Sequence, residues 1–200
     1  MHLVVGLGNP GDRYRDTRHN VGFEVVDALM ERAAAGALRP HPDWWALETA
    51  LEGVPAVLLK PLTYMNLSGS AVQGALAAWS LPPERLVVVV DDVALPTGRL
   101  RVRARGSHGG HNGLRSIEEA LGTRDFTRIR IGVGSEPDGP ELADYVLSKF
   151  PSRDILIVRR AVERAAEAVV AVLRDGVEDA MNRYNAEAVD GSSEGAGAAT

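Results

Sequence analysis

Residues 86–92 read LVVVVDD, five apolar residues followed at once by two aspartates. A short, continuous apolar run is typical of a strand that is buried on both faces, as in the interior of a parallel sheet. Open α/β sheets bind their ligands beyond the carboxyl ends of such strands. We therefore expect the centre of a parallel sheet here, with Asp91 at the edge of the sheet where a functional site forms.

The rest of the chain alternates predicted strands with predicted helices. An apolar run over residues 3–7 predicts a first strand, and the helical spacing of Phe23, Val26 and Met30 predicts a helix that begins near Asn20. Further strands are predicted within residues 44–61, 99–105 and 128–133, and further helices after a cap at Ser68, after the glycine-rich loop 106–111 and over 152–175.

This order of elements predicts a single domain of the α/β class. We expect a three-layer sandwich with a mixed, mostly parallel central sheet and helices on both faces. The two strands with alternating arginines, residues 99–105 and 128–133, are candidate antiparallel additions to that sheet. We place the domain at residues 1–186, and we expect residues 187–200 to be disordered because they offer little apolar surface.

Composition narrows the class of protein. The chain of 200 residues is 45% hydrophobic and 24% charged, and it has no cysteine, which excludes disulfides, thiolate metal sites and a cysteine nucleophile. No apolar run is long enough to span a bilayer, and the first residues lack the pattern of a signal peptide. We therefore expect a cytoplasmic protein with no membrane partner. The net charge of −5 means that any contact with nucleic acid must come from local clusters of arginine.

Residues 6–11 contain three glycines in the order G-x-G-x-x-G, which is also the order found in dinucleotide-binding turns. Such a turn needs a helix that begins at the third glycine, whereas helical periodicity here starts only near Asn20. Pro10 also removes one N–H donor from the loop. We therefore interpret the bend as one that presents Asn9 at the end of the first strand, with His19 returning beside it.

Polar residues follow other predicted strands as well. Residues 64–66 follow the strand that ends at Pro61, Asp91 follows the buried run, and the glycine-rich loop brings His111 and Asn112. If these strands are parallel, their loops meet at one edge of the sheet. The sequence therefore predicts one cluster of histidine, carboxylate and amide side chains.

Four segments of the chain resemble the signature blocks of the bacterial peptidyl-tRNA hydrolase family. They are VVGLGNPGDRYRDTRHNVGF (4–23), KPLTYMNLSG (60–69), DDVALPTGRLRVR (91–103), and GSHGGHNGLRSIEEALGT with RIRIGVG (106–123 and 128–134). The resemblance extends to about residue 185 and implies that residues 1–186 form a catalytic domain. It implies an enzyme that uses water to cleave the ester between a peptide and the terminal ribose of tRNA, with no metal, no other cofactor and no covalent intermediate. We expect a monomer whose partner is peptidyl-tRNA and not DNA.

The resemblance also implies roles for single residues. His19 is implied to be the general base, Asp91 the carboxylate that orients it, and Asn9 a catalytic residue that distinguishes blocked from free amino groups. The implied substrate-binding residues are Tyr14, Tyr64, Met65, Asn66, Gly110 and Asn112, with one of the amides or the Gly110 N–H as donor to the oxyanion. The implied contacts with tRNA phosphates are Arg103 and Arg130.

Structural or different functional interpretations stand beside these roles. His19 is also compatible with a helix cap, and Asp91 with a turn residue after a buried strand. His108 and His111 near Asp91 are compatible with metal-assisted hydrolysis, although glycines surround them and their spacing is not that of a helical metal-binding pair. Alternating arginines are typical of a solvated edge strand, or of a non-catalytic RNA-binding module.

Overall fold

The computed structural model describes residues 1–33, 36–134 and 141–186. The strands in these residues are β1 (His2–Gly6), β2 (Ala37–Leu38), β3 (Trp44–Leu51), β4 (Val54–Pro61), β5 (Leu86–Asp92), β6 (Leu100–Arg103) and β7 (Thr127–Gly132). The α-helices are α1 (Val21–Arg32), α2 (Ser68–Ala78), α3 (Asn112–Leu121), α4 (Glu141–Val146), α5 (Ile155–Asp175) and α6 (Val177–Ala186). The segment predicted to be disordered, residues 187–200, lies outside the described residues.

The strands form one sheet in the order β2-β3-β4-β1-β5-β7-β6. The four neighbours β4, β1, β5 and β7 are parallel. The remaining three strands pair antiparallel, β2 with β3, β3 with β4, and β6 with β7. The prediction of a mixed, mostly parallel sheet is therefore confirmed, with the LVVVVDD strand in its interior.

Helices cover both faces of this sheet. On one face α1, α5 and α6 pack around Val4, Val87 and Val89, and on the other face α2 and α3 pack around Leu3 and Val88. Successive residues of β1 and β5 thus enter opposite cores, as a strand that is apolar on both faces requires. The predicted three-layer sandwich is confirmed. Within the described residues no helix is long and apolar enough to cross a membrane.

Two local predictions are wrong. Ser68 does not cap α2, because a 3-10 turn at Met65–Leu67 leads directly into the helix and the Ser68 hydroxyl donates to the Met65 carbonyl at 2.9 Å. Also, β7 is not an antiparallel addition, since it runs parallel to β5 inside the sheet. Its arginines Arg128 and Arg130 are buried. Carbonyl groups of the glycine-rich loop accept hydrogen bonds from both guanidinium groups, which offsets part of the cost of burying these charges.

The first helix packs unusually close to the sheet. A Cβ atom placed on Gly6 would lie 2.1 Å from the carbonyl oxygen of Gly22. A Cβ atom placed on Gly22 would lie 2.5 Å from the backbone nitrogen of Leu7 and from the carbonyl oxygen of Val89. The first glycine of the G-x-G-x-x-G order therefore serves this packing. Because α1 begins only at Val21, the loop does not form a dinucleotide-binding turn.

Replacement of Gly22 by alanine tests this close approach. Helix propensity alone predicts that Gly22→Ala stabilises the fold by up to about 1 kcal/mol. The backbone atoms at 2.5 Å predict the opposite, a loss of about 1–3 kcal/mol in the free energy of unfolding, because they cannot move without displacing the sheet. Urea denaturation measures the difference. A variant as stable as the parent, or more stable, contradicts the packing described here.

Candidate active site

Three separate parts of the chain meet at the carboxyl end of the parallel strands. Asn9 follows β1, His19 lies in the 3-10 turn Arg18–Asn20 that leads into α1, and Asp91 is in the last part of β5. Since β1 and β5 are parallel neighbours, their ends lie side by side. The structure therefore brings together the three residues that the sequence analysis placed at one site.

His19 and Asp91 form a buried hydrogen-bonded pair. Nδ1 of His19 lies 2.8 Å from Oδ1 of Asp91, and the two residues are 9% and 3% exposed. An ionised carboxylate only accepts hydrogen bonds, so Nδ1 of His19 carries the proton. A neutral imidazole carries one N–H proton, so the lone pair of Nε2 in His19 is available. Among the described residues, no group forms a hydrogen bond with this Nε2. His19 thus presents an unprotonated Nε2, and α1 has no side-chain cap from it.

His111 donates to the same carboxylate oxygen. Its Nε2 lies 2.9 Å from Oδ1 of Asp91, while its Nδ1 accepts a hydrogen bond from the backbone N–H of Leu114 at 3.3 Å. The second contact caps α3 and requires an unprotonated Nδ1, so the proton of a neutral His111 sits on Nε2. Sequence analysis did not find this donor role, because it depends on a backbone contact that residue types do not reveal.

The histidine and carboxylate cluster does not suit a metal. Possible ligand atoms of His19, Asp91 and His111 all lie within 4.8 Å of one another. However, both ring nitrogens that face Asp91 donate hydrogen bonds to its ionised carboxylate, so a metal at this position would have to displace both protons and both hydrogen bonds. His108 stays apart, since its Nδ1 accepts from the N–H of Gly110 at 3.0 Å within its own loop. The geometry favours an acid–base pair over a metal centre.

The electrostatics of the pair increase the basicity of His19. Burial alone would lower the pKa of His19, but the charge of Asp91 and the hydrogen bond between them outweigh burial and raise this pKa above its ordinary value. Burial alone would raise the pKa of Asp91, but the charge of His19, then that of His111, and their hydrogen bonds hold this pKa well below its ordinary value. Asp91 therefore stays ionised wherever His19 titrates.

The side chain of Asn9 has a fixed orientation. Its Oδ1 accepts from the backbone N–H of Met65 at 2.8 Å, which identifies Nδ2 as the other end of the amide. Its backbone N–H and C=O both pair with the side chain of Asn20, each at 2.9 Å. No described residue accepts from Nδ2 of Asn9, so this end is a donor available to a ligand. The sequence analysis named Asn20 only as the start of a helix and missed its contacts with the backbone of Asn9, eleven residues earlier in the chain.

Two spaces have His19 in their lining. The first, which we call the asparagine space, has a volume of about 350 Å³ and is lined by Asn9, His19, Tyr64, Met65, Asn66, Asn112, Ala143, Val146 and Leu147. The second, the arginine space, has a volume of about 320 Å³, and its lining includes His19, Asp91, Gly110, His111, Asn112 and Arg130. Five of the six predicted substrate-binding residues therefore line one space or the other.

Tyr14 is the exception. It does not line either space, but lies in the turn Asp12–Tyr14 with the guanidinium of Arg13 over its ring at 4.4 Å from the centroid. The Tyr14 hydroxyl also accepts a hydrogen bond from Arg13. Tyr14 therefore lies outside both spaces, and the neighbouring arginine engages both its ring and its hydroxyl.

The two arginines predicted to contact phosphates lie in different environments. Arg103 is exposed on the edge strand β6. Arg130 is buried in β7, where Nη1 lies 3.1 Å from Oδ2 of Asp92 and Nη2 donates to the carbonyl groups of Ser107 and His108 at 2.9 and 3.2 Å. Arg130 is thus anchored at the wall of the arginine space, whereas Arg103 is available at the surface.

Comparison with known proteins gives one consistent family. The sequence model described as peptidyl-tRNA hydrolase matches residues 3–192. A peptidyl-tRNA hydrolase from Caldanaerobacter subterraneus is 44% identical over 185 residues, which cover 92% of this chain and 100% of that protein. One from Gloeobacter violaceus is 46% identical over 187 residues, which cover 93% of this chain and 94% of that protein. The chain belongs to the peptidyl-tRNA hydrolase family.

A solved structure of this family supports the fold as well. The crystal structure of peptidyl-tRNA hydrolase from Acinetobacter baumannii matches with a TM-score of 0.87 and 35% sequence identity, over 93% of this chain and 95% of that chain. The resemblance read from the four sequence segments is confirmed, and with it membership of a family of hydrolases. The roles of single residues and the domain boundary at residue 186 stay predictions.

Replacement of Asp91 by asparagine tests whether the carboxylate sets the basicity of His19. Asp91→Asn keeps the size of the side chain and one acceptor oxygen but removes the charge that raises the pKa of His19. Burial then dominates, and we expect this pKa to fall below the ordinary value of about 6.5. An NMR titration of the His19 ring protons measures the pKa in both proteins. An equal pKa in parent and variant contradicts the assignment.

Proposed function

We propose that this chain hydrolyses the ester that joins a peptide to the terminal ribose of tRNA, releasing free tRNA and an N-blocked peptide. The observation that carries the proposal is the His19–Asp91 pair, which keeps an unprotonated Nε2 beside two ligand-sized spaces. The names of the relatives support the choice of substrate, since each is a peptidyl-tRNA hydrolase.

In the proposed reaction, water is the nucleophile. Nε2 of His19 takes a proton from the water as its oxygen bonds to the ester carbonyl carbon, and Asp91 stabilises the imidazolium that forms. When the bond from the carbonyl carbon to the ribose oxygen breaks, the same proton passes from His19 to that oxygen. General-base catalysis of this kind contributes about 10²- to 10⁴-fold in rate. The products are the carboxylic acid of the peptide and the ribose hydroxyl of tRNA.

The amides of the asparagine space account for selectivity and for stabilisation of charge. Because Oδ1 of Asn9 is engaged by Met65, the substrate meets the Nδ2 donor, which pairs with a carbonyl oxygen but not with the ammonium of a free aminoacyl group. We assign the oxyanion to Asn112, which lines both spaces beside His19. The N–H of Gly110, the alternative donor, already donates to His108.

Arg103 and Arg130 are proposed to contact the phosphates of tRNA. Arg103 suits a surface contact, because its strand β6 ends the sheet and the side chain is exposed. Arg130 keeps its guanidinium fixed by Asp92 and two carbonyl groups and lines the arginine space, so it suits a phosphate that enters this space.

We further propose that the protein acts as a monomer in the cytoplasm. The location follows from the proposed substrate, because peptidyl-tRNA arises on ribosomes. Monomeric behaviour is the expectation from the family resemblance, and sedimentation equilibrium measures it. DNA is not proposed as a partner, because it carries no acyl ester for His19 to cleave.

Hydrolysis of matched substrates tests the proposed function. We expect the pure protein to cleave N-acetylaminoacyl-tRNA, to leave free aminoacyl-tRNA intact, and to be unaffected by EDTA. Loss of activity with chelator supports metal-assisted hydrolysis instead. Tight binding with retention of both esters supports a non-catalytic RNA-binding module, and either result overturns the proposal.

His19→Ala tests the general base directly. We expect tRNA affinity to stay within about twofold, because the arginines proposed to contact tRNA stay in place, while turnover falls by about 10²-fold or more, because the substitution removes the proton acceptor. His2→Ala is the matched control, since His2 lies at the amino end of β1, whereas the site lies at the carboxyl ends of the strands. Retained turnover in the His19 variant contradicts the mechanism.

Arg103→Ala tests the phosphate contact. We expect weaker tRNA binding and a slope of log affinity against log salt that is smaller by about 1, as the loss of one phosphate contact requires. Arg85→Ala is the control, because Arg85 precedes the amino end of β5, whereas the site lies at the carboxyl end of this strand. An unchanged salt slope for Arg103→Ala counts against its role.

A further inference from the structure

Arg18 is a buried cation that the proposed chemistry does not use. The residue is 7% exposed, and its guanidinium lies between two rings, 4.1 Å from the centroid of Tyr145 and 5.1 Å from that of Phe150. The two N–H groups of its Nη1 are shared among three acceptors, the hydroxyl of Ser148 at 2.6 Å, the Lys149 carbonyl at 2.8 Å and the Ser148 carbonyl at 3.3 Å. All these partners belong to one short segment, far from Arg18 in sequence.

The backbone joins the same two parts of the chain. The N–H of Arg18 donates to the carbonyl of Ser148 at 3.1 Å, and Thr17 forms an antiparallel bridge with Lys149. The turn that carries His19 is therefore tied by side chain and backbone to the residues that follow α4. A movement of that segment would have to break these hydrogen bonds together.

The segment tied in this way forms one wall of both spaces. Ala143 and Val146 line the asparagine space and the arginine space, and Leu147 lines the asparagine space beside Asn9. The segment is also anchored by a hydrogen bond from the Tyr145 hydroxyl to the carbonyl of Val133 at 2.9 Å and by an ion pair between Lys149 and Asp16 at 3.4 Å. The wall is apolar, so it suits side chains of a peptide better than the phosphates of tRNA.

We propose that Arg18 is a positioning residue that fixes the segment 141–150, which we call the apolar wall, against the turn of His19. The guanidinium suits this task because it is planar, stacks on aromatic faces and donates several hydrogen bonds at once. A lysine ammonium can donate to these acceptors, which all face one nitrogen of the guanidinium, but it has no planar group to stack between the two rings. The consequence for substrate binding rests on the proposed function. The contacts that join Arg18 to the apolar wall, which we call the tether, can be measured without substrate.

Loss of the tether has a specific kinetic consequence. The pair of His19 and Asp91 does not depend on the Arg18 side chain, so the chemical step keeps its base and its pKa. Binding of the peptide uses the apolar wall, so KM rises while kcat changes little. The rise in KM is larger for an oligopeptidyl-tRNA than for N-acetylaminoacyl-tRNA, because a longer peptide covers more of the wall.

The test compares Arg18→Met and Arg18→Lys with Arg153→Met, a control whose arginine is exposed and contacts only Asp154 among the described residues. Hydrogen–deuterium exchange follows the peptide 141–150, with 155–175 as the internal reference. We expect faster exchange in 141–150 alone for both Arg18 variants. We also expect KM for oligopeptidyl-tRNA to rise about tenfold or more, kcat to stay within about threefold, and the pKa of His19 to be unchanged.

Other outcomes overturn the proposal. Unchanged exchange in 141–150, a full rescue by lysine, or a fall in kcat at constant KM excludes the tether. Faster exchange throughout the chain shows a general loss of stability instead. If Arg18→Met fails to fold, Ser148→Ala, which removes one acceptor, must give the same changes at smaller amplitude. If the parent cleaves neither substrate, the proposed function fails, and exchange in 141–150 still decides the tether.

Discussion

The carboxylate of Asp91 accepts hydrogen bonds from His19 and His111 on one oxygen, and the rest of the site depends on these two contacts. A buried carboxylate is costly unless it is hydrogen-bonded, so both donors are needed where Asp91 is almost fully enclosed. The contacts also fix the tautomers. His111 places its proton on Nε2 because Nδ1 caps α3 through Leu114, and His19 places its proton on Nδ1 and keeps Nε2 bare. A single negative charge thus orients the His19 ring, raises its pKa and anchors the helix that carries Asn112.

The fold supplies this geometry through close packing. Because β1 and β5 are parallel neighbours, the loop after β1 and the aspartates at the end of β5 lie at the same edge. The glycine contact between Gly6 and Gly22 lets α1 approach the sheet, so that the turn before α1 places His19 over the end of β5. Arg18 then ties this turn to the apolar wall, which links the base to the surface that we propose to hold the peptide.

Much of this arrangement could be predicted from sequence, because it depends on patterns within single segments. The run LVVVVDD indicated an interior strand with Asp91 at its end, and the late start of α1 excluded a dinucleotide-binding turn. The rest depends on partners that are remote in sequence. The arginines of β7 look like those of an edge strand until the loop carbonyls that accept from them are known. The hydrogen-bond partners of Arg18 lie 130 and 131 residues away, and no local pattern points to them.

In the proposed reaction, only the unprotonated form of His19 is active. The measurement that tests it most directly is the pH dependence of single-turnover cleavage of N-acetylaminoacyl-tRNA, set beside the pKa of His19 in the same protein. We expect the rate to rise with pH along the deprotonation curve of His19, with a midpoint above about 6.5 because Asp91 raises that pKa. A rate that is independent of pH, or that follows a midpoint remote from the pKa of His19, would contradict it.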